Sequence, residues 1–365
     1  MTLLREGQSI RDAYVVERLL GEGAFAEVYR VRHRFLGRQA MKVFKSVGMN
    51  LNEIEEMLSE AIILSRIGHP NIVRVFDADV AQTINGTCGF FTMEYVAGGS
   101  LEQFWKSYGN QFIPAGTVVE IMRQICRGLA VAHGDDPPIV HRDIKPQNIL
   151  IGYDGTGIRA RVTDFGLAKH VNPLTMMASA RGTRCFKAPE VFRDPTSDSR
   201  SGDVWALGMT MYLLLTDRLP FATDREEIID PRIFEEPAAA PSKWNVAVDP
   251  SLDSIVCRAL EVHASRRYKS ASEMLEALEK WRPHITTKRT DSVSTPSKVT
   301  VEFPGGLSPN EQEAMQLVDR ALRLARQINT LAEAADTMEE AFNKWPETRR
   351  QHEDRVKLWR RGIMM

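Results

Sequence analysis

Apolar and polar residues alternate along three stretches near the start of the chain: Tyr14–Leu20, Ala26–Arg32 and Arg38–Phe44. A period of two marks a half-buried strand, so each stretch is predicted as one. Between Leu51 and Ile67 the period changes. Ile54, Met57, Leu58, Ala61, Leu64 and Ser65 recur at helical spacing and predict a helix. The chain stays strand-rich to about Val96, and from Leu101 to Trp281 it becomes mainly helical, most clearly over Val118–His133 and Gly202–Leu215. A small strand-rich unit followed by a larger helical one predicts two lobes with a crevice between them, and crevices are preferred ligand sites.

Both periods stop beyond His284. Residues 285–300 are dominated by Ser and Thr with scattered Lys, Arg, Asp and Pro, a composition too polar to build a core. Pro304-Gly305-Gly306 breaks the chain again. Ser308-Pro309-Asn310-Glu311 then reads as a helix start, with Ser as N-cap and Pro at the first helical position. From there to Phe342 apolar residues recur helically through Met315, Val318, Leu322, Ala325, Ile328, Leu331, Ala335 and Met338. Pro346 opens a second segment carrying Val356, Leu358 and Trp359. The stripe predicts a helical hairpin packed first on the chain's own large lobe, with self-association or a partner as the other occupants.

Composition narrows the function classes. The 365 residues allow roughly two or three domains. Hydrophobic residues at 43% and charged residues at 26% are those of a globular protein. A net charge of -1 argues against nucleic-acid binding by bulk charge, so no nucleic-acid partner is expected. Cys88, Cys126, Cys185 and Cys257 lie far apart, with neither zinc nor redox spacing, as in a cytoplasmic protein with reduced thiols. The first residues, Met1 to Ala13, hold no apolar stretch long enough for a secretion signal. The longest apolar run, Val204–Leu215, is about a dozen residues, which suits a buried helix and not a membrane span.

Four segments carry candidate chemistry. Gly21-Glu22-Gly23-Ala24-Phe25-Ala26 joins two predicted strands, and glycines let backbone amides turn toward a phosphate chain. A strand follows this loop, unlike the dinucleotide fingerprint, where a helix does. Lys42, flanked by apolar residues in a predicted strand, is either an edge lysine that blunts pairing or a phosphate-directed cation held by Glu60. His141-Arg142-Asp143-Ile144-Lys145-Pro146-Gln147-Asn148 brings a base, a cation and a metal-ligating amide onto one loop. Asp164-Phe165-Gly166, after the predicted strand Ala160–Thr163, places a carboxylate at a strand end, where it suits a hard cation. Each aspartate alone reads as a turn or cap residue; their order together does not.

In that order, and with Ala188-Pro189-Glu190 following, these segments resemble the eukaryotic-type Ser/Thr protein kinase family over residues 14–282. The compact catalytic part, linker and helical appendix are most similar to bacterial members. The resemblance implies an α+β, two-lobe kinase fold. With the composition shift and the tail's stripe, the chain is expected to divide into an N-terminal extension (1–13), N-lobe and hinge (14–98), C-lobe (99–284), linker (285–309) and helical tail (310–365). The resemblance also implies ATP and Mg2+ (or Mn2+) as cofactors and proteins as substrates. By position, Gly21, Glu22, Gly23, Ala24 and Phe25 cover the ATP phosphates, and Lys42, held by Glu60, meets the α- and β-phosphates. Asn148 and Asp164 hold the metal. Asp143 orients the substrate hydroxyl and takes its proton, and Lys145 steadies the γ-phosphate. Met93 is the gatekeeper, Glu94–Val96 the hinge, and Val28, Ala40 and Leu150 sandwich the adenine. Asp203 braces the catalytic loop and Glu190 pairs with Arg267. The third glycine of the loop is replaced by Ala26, a difference of one methyl.

Lys145 within Asp143-Ile144-Lys145 and Gly182-Thr183 are similar to the Ser/Thr class. Arg142 before Asp143 resembles kinases switched by a phosphate on the activation segment, with Thr175 and Ser179 as candidates and the Ser/Thr-rich linker as a second autophosphorylation region. Two other readings stand beside this one: a catalytically silent scaffold with the kinase fold, which the intact Lys42, Asp143, Asn148 and Asp164 disfavour, and a small-molecule kinase, which the peptide-presenting Ala188-Pro189-Glu190 segment disfavours.

Overall fold

Nine-residue and eight-residue stretches of alternating character become strands at the start of the chain. A computed structural model describes residues 2–45, 67–109, 111–165, 184–194, 197, 199–221, 231–283 and 309–364. Two compact units emerge, one of Met1–Val96 with Val162–Ala180, the other of Ala97–Arg161 with Arg181–Met365. The first is built on an antiparallel sheet ordered β1-β2-β3-β4-β6-β5. Its strands are β1 (Ser9–Ile10), β2 (Tyr14–Glu22), β3 (Ala26–His33), β4 (Gly37–Phe44), β5 (Val75–Thr83) and β6 (Gly86–Glu94). The predicted strands thus form, with β2 running two residues further into the glycine loop. The predicted helix over Leu51–Ile67, and Glu60 with it, lies outside the described residues except for Ile67, which is not helical.

Register sorts the sheet into two faces. Val28 pairs with Lys42 and Lys42 with Phe91; Ala40 pairs with Met93. Strand side chains alternate, so these residues share one face. Tyr29, Val31, Met41, Val43 and Phe90 take the opposite face and form a core with Leu3, Leu4 and Ile10. The N-terminal segment is thereby tied down: the Leu3 amide donates to Glu27 Oε2 at 2.8 Å and the Leu4 amide to the Tyr29 hydroxyl at 2.9 Å. Burial, with the Glu27 contact adding, pushes the Tyr29 phenol up to about 12.

The second unit is helical. Its elements are α1 (Leu101–Lys106), α2 (Ala115–His133), the hairpin strands β7 (Ile149–Asp154) and β8 (Gly157–Val162), α3 (Pro189–Arg193), α4 (Arg200–Thr216), α5 (Pro250–Ala259) and α6 (Ala271–Lys280). Helix α4 has apolar residues all round, and Val204, Trp205, Leu207, Met211 and Leu215 are fully buried. A helix of that pattern belongs in a core, and α2, α5 and α6 pack on it. Each such buried side chain contributes about 1.5–3 kcal/mol.

The tail forms three helices, α7 (Pro309–Leu324), α8 (Leu331–Lys344) and α9 (Pro346–Arg360). The apolar stripe predicts a two-helix hairpin; the break at Ala325–Thr330 divides its first arm. There the Thr330 hydroxyl donates to the Leu324 and Gln327 carbonyls, and such local bonds by β-branched hydroxyl residues compete with helix continuation. Ala321, Ala335, Met338, Phe342, Val356 and Trp359 form a core that takes in Tyr153 of β7. The Tyr153 ring meets Phe342 edge-on at 5.8 Å. Arg349 of α9 stacks its guanidinium 4.2 Å from the Phe104 ring of α1 and donates to the Ser107 hydroxyl at 3.1 Å. Arg361 donates to the Gly155 carbonyl in the β7–β8 turn at 2.5 Å.

Candidate active site

Within the first unit the glycine loop closes the β2–β3 turn. The Gly23 amide donates to the Ala26 carbonyl at 2.8 Å, and the Lys45 amide to the Phe25 carbonyl at 2.8 Å. Gly21, Glu22, Gly23, Ala24 and Phe25 are exposed, while Ala26 is buried where a third glycine would stand. Behind this turn, on the same sheet face, come Val28, Lys42, Ala40 and Met93. Lys42 is buried, and its Nζ lies 2.6 Å from Asp164 Oδ1. An ammonium in a strand centre needs such a partner, because burying it alone is costly. Lys42 is therefore no edge lysine: β4 lies between β3 and β6.

Asp164 reaches Lys42 through the segment after β8. Val162 exchanges backbone bonds with Asn71 and Val73 at 2.9 Å each, and the Thr163 hydroxyl points at Met93 Sδ at 3.9 Å. Asp164 itself has φ 62°, a left-handed conformation uncommon for a residue with a Cβ. Phe165 beside it is fully buried. Glu94 ends β6, with its amide donating to the Arg74 carbonyl at 2.8 Å, and Val96 is buried.

Within the second unit the loop after α2 gathers Asp143, Lys145 and Asn148. Lys145 Nζ lies 2.7 Å from Asp143 Oδ2. Asn148 donates its amide hydrogens to the Asp143 carbonyl at 2.8 Å and to Asp143 Oδ2 at 2.9 Å. This fixes the carboxylate and turns the Asn148 amide oxygen away from it. Leu150 follows on β7 and bridges Ser100.

Asp203 of α4 holds this loop from below. Its carboxylate accepts from the His141 amide at 2.7 Å, the Arg142 amide at 2.8 Å and His133 Nε2 at 3.0 Å. Burial alone would raise its pKa, but the bonds from His133 and His141 outweigh it and hold Asp203 below the usual carboxylate range. Arg142 takes a left-handed φ of 69°, which two carboxylate-bound amides help to enforce. Its carbonyl accepts from Lys187 Nζ at 2.6 Å. His133 and Lys187 are site residues that the sequence reasoning missed. His133 ends the apolar periodicity of α2 and read as a helix terminus, and nothing in sequence ties Lys187 to Arg142. Arg267 meets Glu190 in a two-pronged pair, both arms at 2.7 Å.

Among the described residues no group of three His, Cys, Asp or Glu side chains is arranged to hold a metal by itself. Asp164 in the first unit and Asn148 in the second each offer an oxygen of the kind that hard divalent cations take. Glu60, Gly166, Thr175, Ser179, Gly182 and Thr183 lie outside the described residues.

Comparison with known proteins meets this geometry from another direction. The solved structure of the Mycobacterium tuberculosis PknI kinase domain is similar, with a TM-score of 0.55 at 25% identity, covering 76% of this chain and 99% of that one. Among curated proteins, the Ser/Thr protein kinase PknB of Mycolicibacterium smegmatis is 33% identical over 273 residues, 73% of this chain and 42% of its own. PrkC of Bacillus subtilis, also a Ser/Thr protein kinase, is 34% identical over 274 residues, 73% of this chain and 40% of its own. The chain thus spans about two-fifths of the length of the curated relatives it matches. The protein kinase domain family matches residues 14–280. The chain belongs to that family, the eukaryotic-type Ser/Thr protein kinases, and is most similar to bacterial members.

Proposed function

We propose that this chain transfers the γ-phosphoryl group of ATP to Ser and Thr hydroxyls of proteins, its own among them. The observation that carries the reading is the loop in which Asp143, flanked by Lys145 at 2.7 Å and Asn148 at 2.9 Å, is held by the buried Asp203. A carboxylate fixed in this way can aim a hydroxyl and accept its proton as the phosphoryl group leaves. Lys145 offers a cation within reach of the γ-phosphate. Lys42 supplies charge for the α- and β-phosphates, and the exposed amides of Gly21–Phe25 cover them. Val28, Ala40 and Leu150 sandwich adenine, with Met93 as gatekeeper and Glu94–Val96 as hinge. Asn148 and Asp164 hold Mg2+ or Mn2+, which when bound neutralises charge on the phosphates.

No helix among the described residues is long and apolar enough to cross a membrane. Cys88, Cys126, Cys185 and Cys257 are free thiols, which supports work in a reducing, cytoplasmic setting. The test is intact-mass spectrometry with site mapping after incubation with ATP and Mg2+. The wild type is expected to gain phosphates, and Asp164→Ala to gain none. Asp143→Ala is expected to lose transfer by about 10³-fold or more while still binding nucleotide. A folded Asp143→Ala that no longer binds nucleotide would give Asp143 another role, and a wild type without added phosphate or activity on peptide substrates would favour the silent scaffold.

A further inference from the structure

Within the second unit the tail meets the short strip Ala97–Ser100. Glu339 and Asn343 lie four residues apart on α8 and so share one face. That face meets the strip Ala97–Ser100. A Cβ on Gly98 would lie 3.4 Å from Glu339 Oε2, and a Cβ on Gly99 only 2.9 Å from Asn343 Nδ2. The same strip is laced to β7. A Cβ on Gly98 would strike the Ile151 carbonyl oxygen at 2.2 Å, the Ile151 amide donates to the Gly99 carbonyl at 2.8 Å, and Ser100 bridges Leu150. Backbone bonds from β7 thus hold one short run of chain, and two side chains of α8 pack against its glycines.

The chemistry of the contact is costly for a merely structural support. Glu339 is fully buried. One of its oxygens accepts from Arg360, at 3.1 Å from Nε and 2.7 Å from Nη2. The other, Oε2, has no hydrogen-bond partner among the described residues, and neither has Asn343 Oδ1. An apolar side chain would pack the tail here without the desolvation that a buried carboxylate suffers. The carboxylate and the amide lie instead against two glycines that have no side chains of their own.

We propose that Glu339 and Asn343 are positioning residues for the nucleotide: α8 fixes the strip Ala97–Ser100 and, through its pairing with β7, the seat of Leu150. The inference rests on the kinase reading, in which Leu150 lies against adenine. The tail then sets affinity for the adenosine part of ATP without touching it.

The test compares the full chain with its Glu339→Ala, Glu339→Gln and Asn343→Ala variants. Hydrogen–deuterium exchange reads the amides of residues 97–103, a fluorescent ATP analogue gives the dissociation constant, and initial rates give KM for ATP and kcat. Glu339→Ala is expected to speed exchange in the strip and to raise both the dissociation constant and KM about fivefold, with kcat nearly kept. Glu339→Gln, which retains shape and an acceptor for Arg360, is expected to restore most of the loss. Should Glu339→Ala fail to fold, Asn343→Ala carries the same expectation. Unchanged exchange and an unchanged dissociation constant in folded variants overturn the inference, and so does a parallel fall of kcat with unchanged KM. A wild-type chain that binds no nucleotide overturns the kinase reading and this inference with it, whereas a wild type that binds ATP beside indifferent variants overturns this inference alone.

Discussion

Asp203 draws the backbone amides of His141 and Arg142 and the ring of His133 onto one buried carboxylate. The Ala271 amide donates to His133 Nδ1 at 3.2 Å, so the ring's proton sits on Nε2 and is given to Asp203. Asp203→Ala leaves these donors buried without an acceptor. It is expected to lower stability by at least about 3 kcal/mol in urea denaturation and to lower activity with it. Glu339 is shifted the opposite way to Asp203. Burial raises its carboxyl from the ordinary 4.5 to about 7, against the lowering pull of Arg360. Facing it are Arg360 and Asp336 from the tail, Arg161 from β8 and Tyr153 from β7. The folded chain therefore keeps a proton that the unfolded chain releases once pH passes 4.5. Stability falls as pH rises between those two values, by about 3 kcal/mol at most, and levels off above the higher one. Thermal unfolding between pH 5 and 8 checks this (a range of about three units around the physiological value), and Glu339→Gln is expected to flatten the slope.

At the scale of elements, strand register does much of the positioning. A two-residue period sends Met41 and Val43 to the core shared with Leu3 and Leu4, so Ala40 and Lys42 share the other face. That much is legible from alternation alone; which strands flank Lys42 is not, since pairing depends on the register of β3 and β6. Nor is the pairing of Lys42 with Asp164, because it spans a long stretch of chain and rests on bonds of Val162 to Asn71 and Val73. The tail's apolar stripe is equally plain in sequence, but its break at Ala325–Thr330 depends on one threonine's hydrogen bonds, and its seat on β7 and α1 depends on shape. Gly99 shows how little tolerance that seat has. With φ +71° and a neighbouring Gln103 Oε1 at 2.2 Å from any added Cβ, Gly99→Ala is expected to cost about 1–2 kcal/mol or more, read as a drop in melting temperature.

On the scale of the whole molecule, the family is legible in the chain order of motifs, since Gly21–Phe25, Lys42, Asp143–Asn148, Asp164 and Ala188–Glu190 follow one another as in the kinase signature set. The remaining distinction lies outside residues 14–280, to which the family match is confined, in the tail whose helix α8 packs against Gly98 and Gly99. A strip held in common has a reciprocal consequence. A ligand that gains affinity because Ala97–Ser100 is fixed returns the same free energy to the contacts that fix it. ATP would then tighten α8 on the chain by the factor through which α8 tightens ATP. Any protein that drew α8 away would compete with nucleotide across a distance, and saturating ATP would weaken that protein's hold by an equal factor.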